Sequence, residues 1–281
     1  MRTTFTKTSL SGRAPINRKT KAEIKGFIEG FIEALLRDHS PRGRKAYDLR
    51  PLENESASGG LKPFHQALLP EGILAPSEFE RSFSSRLGST FEEAAKLIAL
   101  GRGYDAERSF RVEGSISRAQ FDEIGNIVNE VREHGFLKDF GDYIKRVVSI
   151  KGSKTRSLTV LSDVFVGAKR KKFFFEIKSP KPNKGQCLEV LERFLRIQAV
   201  YGSPNTVKTY YAMPYNPYGL QKAQYSHWPG KSLDLGNEVL IGAEFWNLIG
   251  GPGTYAELLN IYRKVGKEKG PDIIQNLIRT N

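Results

Sequence analysis

The sequence predicts an α/β protein: a mixed central sheet with helices packed on it, preceded by an N-terminal helical region. Three observations carry that prediction. Two apolar runs rich in β-branched and aromatic residues, Leu158–Val166 and Phe173–Ile177, flank the basic turn Gly167–Lys172, which is the pattern of a β-hairpin. Segments with apolar residues at helical spacing, several opened by capping boxes, lie on both sides of it. Over residues 117–213 the order reads helix, three strands, helix, strand, an αβββαβ core.

Residues 1–19 are basic and polar, with Arg2, Lys7, Arg13, Arg18 and Lys19, and read either as an extended arm or as a frayed terminus. Thr20 and Glu23 form a capping box ahead of Ile24, Phe27, Ile28, Phe31, Ile32, Leu35 and Leu36, an amphipathic helix. From His39 to Leu69 the chain turns irregular, with the basic cluster Arg42, Arg44, Lys45 and Arg50, the loop Asn54–Gly60 and a short helix or turn over Lys62–Leu69.

Ser77 and Glu80 cap a helix that runs through Phe83 to about Arg86, where Gly88 breaks it. A second helix, Phe91–Leu100, sets Phe91, Ala94, Ala95 and Ile98 on one face. Ser109–Val112 is a short strand. Ser117 caps a long helix that buries Phe121, Ile124, Ile127, Val128 and Val131 and ends at Gly135. Ile144–Ile150 reads as the strand preceding the hairpin. After the hairpin come a helix over Lys184–Tyr201, a strand at Val207–Met213, a short strand at Glu238–Ile241, a helix over Ala243–Leu248, a helix capped by Thr254 and Glu257, and a last helix from Pro271 to about Ile278.

The hairpin carries charge where a buried strand should not. Asp163 interrupts the first run, and Glu176 and Lys178 sit at i and i+2 at the end of the second, so their side chains share a face. A buried carboxylate pair is costly without a cation between its members, and two carboxylates beside a lysine suit Mg²⁺, which takes oxygen ligands and keeps several waters. Asp163 and Glu176 are therefore the candidate metal ligands. Lys178 is placed to orient or help deprotonate an attacking water and to offset charge in the transition state, and the chemistry of that set is phosphodiester hydrolysis. The structural alternative is a solvated ion pair on an edge strand.

The chain of 281 residues has 44 Lys+Arg against 31 Asp+Glu, a formal charge of +13 that points to a polyanionic partner, nucleic acid foremost. No apolar run approaches a membrane span, so no membrane role is expected. One cysteine, Cys187, excludes an intrachain disulfide and a cysteine-based zinc site, and His39, His65, His134 and His227 lack ligand spacing. The start shows no apolar signal segment, so an intracellular location is expected.

Asp163, a hairpin, then Glu176-Ile177-Lys178 resembles the D…(D/E)-x-K signature of the PD-(D/E)XK nuclease superfamily, with Ser162 where that pattern commonly has proline. The stretch Phe175–Lys184, together with Pro214–Gly219 and Gly242–Gly251, resembles the TdeIII-like group of type II restriction endonucleases. The resemblance implies an N-terminal arm and helical region over 1–76 and a catalytic domain over 77–281 with C-terminal helices. It also implies Mg²⁺-dependent cutting of double-stranded DNA at a short site, a homodimer matching a two-fold site, and a prokaryotic cytoplasmic setting with the nucleoid as substrate. It adds Glu92 as a further candidate catalytic residue, because a helical Glu before the sheet often supports such metal sites. Ser89 to Glu92 also forms a capping box, so Glu92 reads equally as a helix start.

Lys181 and Lys184, next to a helix start that offers free N–H groups, are candidate DNA contacts, with Asn183 and Gln186 behind them. Tyr215 and Asn216 belong to an aromatic, amide-rich loop that could reach DNA or simply cover the core. Two rivals remain at this stage: a nuclease of repair or recombination without strict sequence specificity, and an inactive DNA-binding protein of the same fold.

Overall fold

The computed structural model describes residues 14–38, 63–68, 77–226 and 234–277. The predicted arm as far as Arg13, the basic cluster Arg42, Arg44, Lys45 and Arg50, the loop Asn54–Gly60, and His227 lie outside the described residues. The elements in chain order are α1 (Arg18–Asp38), α2 (Pro63–Leu68), α3 (Ser77–Gly101), β1 (Asp105–Ser117), α4 (Arg118–His134), α5 (Phe140–Val148), β2 (Lys154–Ala168) and β3 (Lys171–Ile177). They continue as α6 (Lys184–Tyr201), β4 (Val207–Met213), β5 (Val239–Ile241), α7 (Ala243–Gly250) and α8 (Thr254–Leu277).

The strands form one mixed sheet in the order β1-β2-β3-β4-β5, antiparallel as far as β3 and parallel from β3 to β5. The predicted hairpin is β2–β3. It closes more tightly than expected: Ala168 pairs with Lys171, and Lys169 takes a positive φ of 56° to make the turn. The αβββαβ core is α3, β1, β2, β3, α6 and β4, an α/β unit consistent with the nuclease-like core expected.

Neither its first helix nor its first strand is the one predicted: the unit opens with α3, and the helix capped by Ser117, α4, follows β1 instead. Residues Ile144–Ile150 do not form a strand: Phe140–Val148 is helix α5, because Phe140, Tyr143, Ile144 and Val147 lie at helical spacing and are all buried. The strand beside β2 is β1, much longer than Ser109–Val112, and α4 and α5 are inserted between the two. Gly88 does not break α3. One helical glycine costs about 1 kcal/mol, which the buried side chains of Phe83, Leu87, Phe91 and Ala94 on either side outweigh. Likewise α8 runs on through Pro271, with Ile273 buried beyond it. Asn17, not Thr20, caps α1, its Oδ1 accepting from the Thr20 N–H at 2.9 Å. Ser117 caps α4 as predicted, in a full capping box with Gln120, and Gly135 ends it.

Strand alternation divides the core between the two faces of the sheet. Val164, Val166, Phe173, Phe175 and Ile177 pack with α1, α2, α3, α7 and α8, around Phe64, Phe91, Trp246 and Tyr262. Tyr211 and Met213 pack on the other face with α4, α5 and α6, through Cys187, Leu191, Phe194 and Leu195. Among the described residues no helix is long and apolar enough to cross a membrane.

Candidate active site

The sheet opens where β2 and β3 part. Their ladder ends at Val164 and Phe175, while β3 continues alongside β4 as far as Ile177 paired with Ala212. Asp163 lies just past the end of that ladder, and its Oδ2 accepts the Ile177 N–H at 2.8 Å, a donor the departing strand leaves unpaired. On its other side the β1 ladder skips the position opposite Asp163: Arg108 pairs with Val164 and Phe110 with Ser162, and Ser109 between them holds φ at 51°. A non-glycine residue in that region is strained, and such strain gathers at functional sites. Asp163 thus occupies an interruption of the sheet on both flanks.

Alternation turns Glu176 toward α6. Its carboxylate is fully buried, and both of its contacts fall on one oxygen: Oε1 accepts from Lys178 Nζ at 2.7 Å and from Arg193 Nη1 at 2.5 Å. Oε2 is buried and meets no hydrogen-bond partner among the described residues. Burial, and then the charge on Glu176, push the Asp163 carboxyl up to about 6, against the pull of Lys178. Burial works against the Lys178 ammonium, yet Glu176 and Asp163 together outweigh it and hold its pKa above the ordinary lysine value.

Arg193 is the site residue that the sequence reading missed. It sits on α6, with Nη2 on Glu189 at 2.8 Å. The signal available was that Glu–Arg pair at i, i+4 on a helix otherwise read for its apolar stripe.

Glu92 is not a helix cap. Ser89 lies inside α3, its hydroxyl donating to the Arg86 carbonyl, and Glu92 Oε2 accepts from Arg108 Nη2 at 2.7 Å and Nε at 3.2 Å. Arg108 also reaches Glu93, at 3.2 Å. This cluster approaches from the α3 face of the sheet, opposite Glu176, and the charge of Glu92 adds a small upward push on Asp163.

Asn183 caps α6, in a capping box with Gln186. Lys184, in the first turn, is exposed and its ammonium donates to the Arg132 carbonyl. The Lys181 ammonium lies 5.6 Å from the Tyr218 ring centroid. Tyr215 and Asn216 are buried, and Asn216 organises its own loop, donating to the Gln221 carbonyl at 2.7 Å and accepting the Tyr218 N–H at 3.0 Å. A cavity of about 350 Å³ opens beside Lys178 and Lys181, walled by Leu87, Phe91, Pro180 and Tyr215. Cys187 is buried, its thiol pushed up to about 12 by that burial, which suits a core residue rather than a nucleophile.

Among the described residues no cluster of three or more His, Cys, Asp or Glu side chains converges on one point. Two carboxylates, one with an unpartnered buried oxygen, fit a hard cation that keeps part of its water shell.

Comparison with known proteins bears on the family of the chain. The model of the family described as "Type II restriction endonuclease, HinfI" matches residues 19–266. The type II restriction enzyme HgiEI of Herpetosiphon aurantiacus is 40% identical over 273 residues, covering 94% of this chain and 99% of the relative. HgiBI of the same organism is 39% identical over 274 residues with the same coverage. The type II restriction enzyme MjaII of Methanocaldococcus jannaschii is 26% identical over 238 residues, 73% of this chain and 62% of that enzyme. No solved structure matches. A family model spanning nearly the whole chain and relatives aligned end to end show that the chain belongs to the HinfI family of type II restriction endonucleases.

Proposed function

We propose that this site-specific deoxyribonuclease is a PD-(D/E)XK enzyme that cuts double-stranded DNA at a short sequence, with Asp163 and Glu176 as ligands of Mg²⁺ and Lys178 as the catalytic cation. The observation that carries the reading is the meeting of Asp163, Glu176 and Lys178 where β2 and β3 part, with Glu176 Oε2 buried and unpartnered. Mg²⁺ held there supplies Lewis acidity to a water and to the scissile phosphate. Asp163 and Glu176 bind it, and the Ile177 N–H orients the Asp163 carboxylate. Lys178, about one-third exposed, turns from Glu176 toward the phosphate, orients the attacking water and offsets charge as the phosphorus–oxygen bond breaks.

Lys181 and Lys184 are proposed as phosphate contacts, supported by their charge beside the Lys178 cavity and at the start of α6. Asn183 and Gln186, and Tyr215 and Asn216, are proposed to shape the two loops that meet DNA. Glu92 is proposed as a supporting acid whose charge reaches Asp163. The finer grouping with TdeIII-like enzymes rests on the resemblance of the loop and helix stretches Pro214–Gly219 and Gly242–Gly251. A homodimer in the cytoplasm completes the proposal, since a two-fold site is matched by a two-fold protein.

The test is digestion of plasmid and phage DNA by the wild type and by Asp163→Ala, each with Mg²⁺ and with EDTA. Discrete fragments from the wild type with Mg²⁺ alone are expected. A smear would contradict sequence specificity, and intact DNA in every lane would contradict the assignment.

A further inference from the structure

Glu176 is the most deeply buried charge of the site, and two cations share its Oε1: Lys178 at 2.7 Å and Arg193 at 2.5 Å. A buried carboxylate needs at least one partner, and removing its last one is among the costliest changes a core can suffer. The two cations are not equivalent. Lys178 is the more exposed, on a flexible stem, and the proposed chemistry needs it to leave Glu176 for the substrate. Arg193 is less exposed and is anchored at its other nitrogen by Glu189, four residues back on α6.

We infer that Arg193 is a positioning residue: it is the fixed counter-ion of Glu176, and its presence lets Lys178 swing away during catalysis without leaving a bare buried carboxylate. The inference rests on the role proposed for Lys178, but its structural half does not, since the shared oxygen is a property of the resting protein. With Arg193 holding Oε1, the unpartnered Oε2 stays free for the metal, and the ligand geometry is set before DNA binds. With Arg193 removed, Lys178 becomes the only cation on Glu176 and is held back from the substrate.

Two readouts test this on the 281-residue chain. The first is a thermal double-mutant cycle with Lys178→Met, Arg193→Met and the double variant, without metal or DNA. Each single variant leaves Glu176 one cation, so the double variant's fall in Tm should exceed the sum of the single falls by roughly 6 °C or more. Adding Glu176→Gln to all four proteins should abolish that excess, and a double variant that fails to fold while both singles fold should be restored by it. Additive falls, or an excess unchanged by Glu176→Gln, would overturn the inference.

The second readout is cleavage. Arg193→Met should lower kcat about 10- to 100-fold with KM within about two-fold, and Arg193→Lys should recover most of it. Unchanged kcat, or a lysine variant no better than methionine, would overturn it. A wild type that never cleaves would defeat the proposed function instead, while leaving the thermal cycle readable.

Discussion

Asp163 and Glu176 hold negative charge in different ways. Glu176 is ion-paired twice over, whereas Asp163 has one backbone N–H and a long-range pull from Lys178, so burial and the neighbouring carboxylate lift it to about 6. A carboxyl raised above its ordinary 3.8 favours the protonated folded state. Its contribution to stability is full below about pH 4 and is lost as pH rises through about 6. Asp163→Asn removes that loss, so the metal-free variant should be more stable than wild type at pH 8, by up to about 3 kcal/mol, and should gain nothing at pH 4. Thermal melts in EDTA at the two pH values check this. Ser109, opposite Asp163, holds φ at 51°, where glycine carries no steric penalty. Ser109→Gly should therefore keep or raise Tm, while Ser109→Val should lower it by several degrees through a clash that β-branching makes worse.

At the scale of elements, α6 carries much of the site: its start holds the Asn183–Gln186 cap, one face buries Leu188, Leu191, Phe194 and Leu195, and Arg193 points at Glu176. Asn183→Ala should cost about 1 kcal/mol, seen as a Tm lowered by a few degrees, because the Gln186 N–H loses the side-chain oxygen that accepts it. Asn183→Ser keeps the cap and should keep both stability and DNA affinity. A selective loss of DNA affinity in the serine variant would assign Asn183 a contact with DNA. The hairpin was legible in the sequence because two runs of β-branched and aromatic residues flank a basic turn, and α6 because apolar residues recur along it at helical spacing. Residues 144–150 were not, because Ile144, Val147 and Val148 fit a helical face as well as a strand, and only packing of α5 against α4 and α6 decides between them. Strand β1 was largely hidden by Asp105, Glu107, Arg108, Arg111 and Glu113, since its first half is only half-buried. Gly88 was read as a stop and Pro271 as the start of a separate helix because local propensity is visible in a sequence, whereas the tertiary burial that overrides it is not. The link from Arg193 to Glu176 spans 17 residues and two element types, so no local pattern announces it.

For the whole molecule, a net charge of +13 draws the chain toward DNA without choosing a sequence, and the sheet supplies a fixed platform on which β2, β3 and α6 assemble the acids and cations. Asp163, Glu176 and Lys178 are proposed to act together on DNA already bound. The most direct measurement is single-turnover cleavage of a specific duplex in Mg²⁺ by Asp163→Asn, Glu176→Gln and Lys178→Met, each beside its DNA affinity in Ca²⁺. All three should lose at least about 100-fold in cleavage rate while binding the duplex within a few-fold of wild type. Cleavage near the wild-type rate by any one of them would contradict the account.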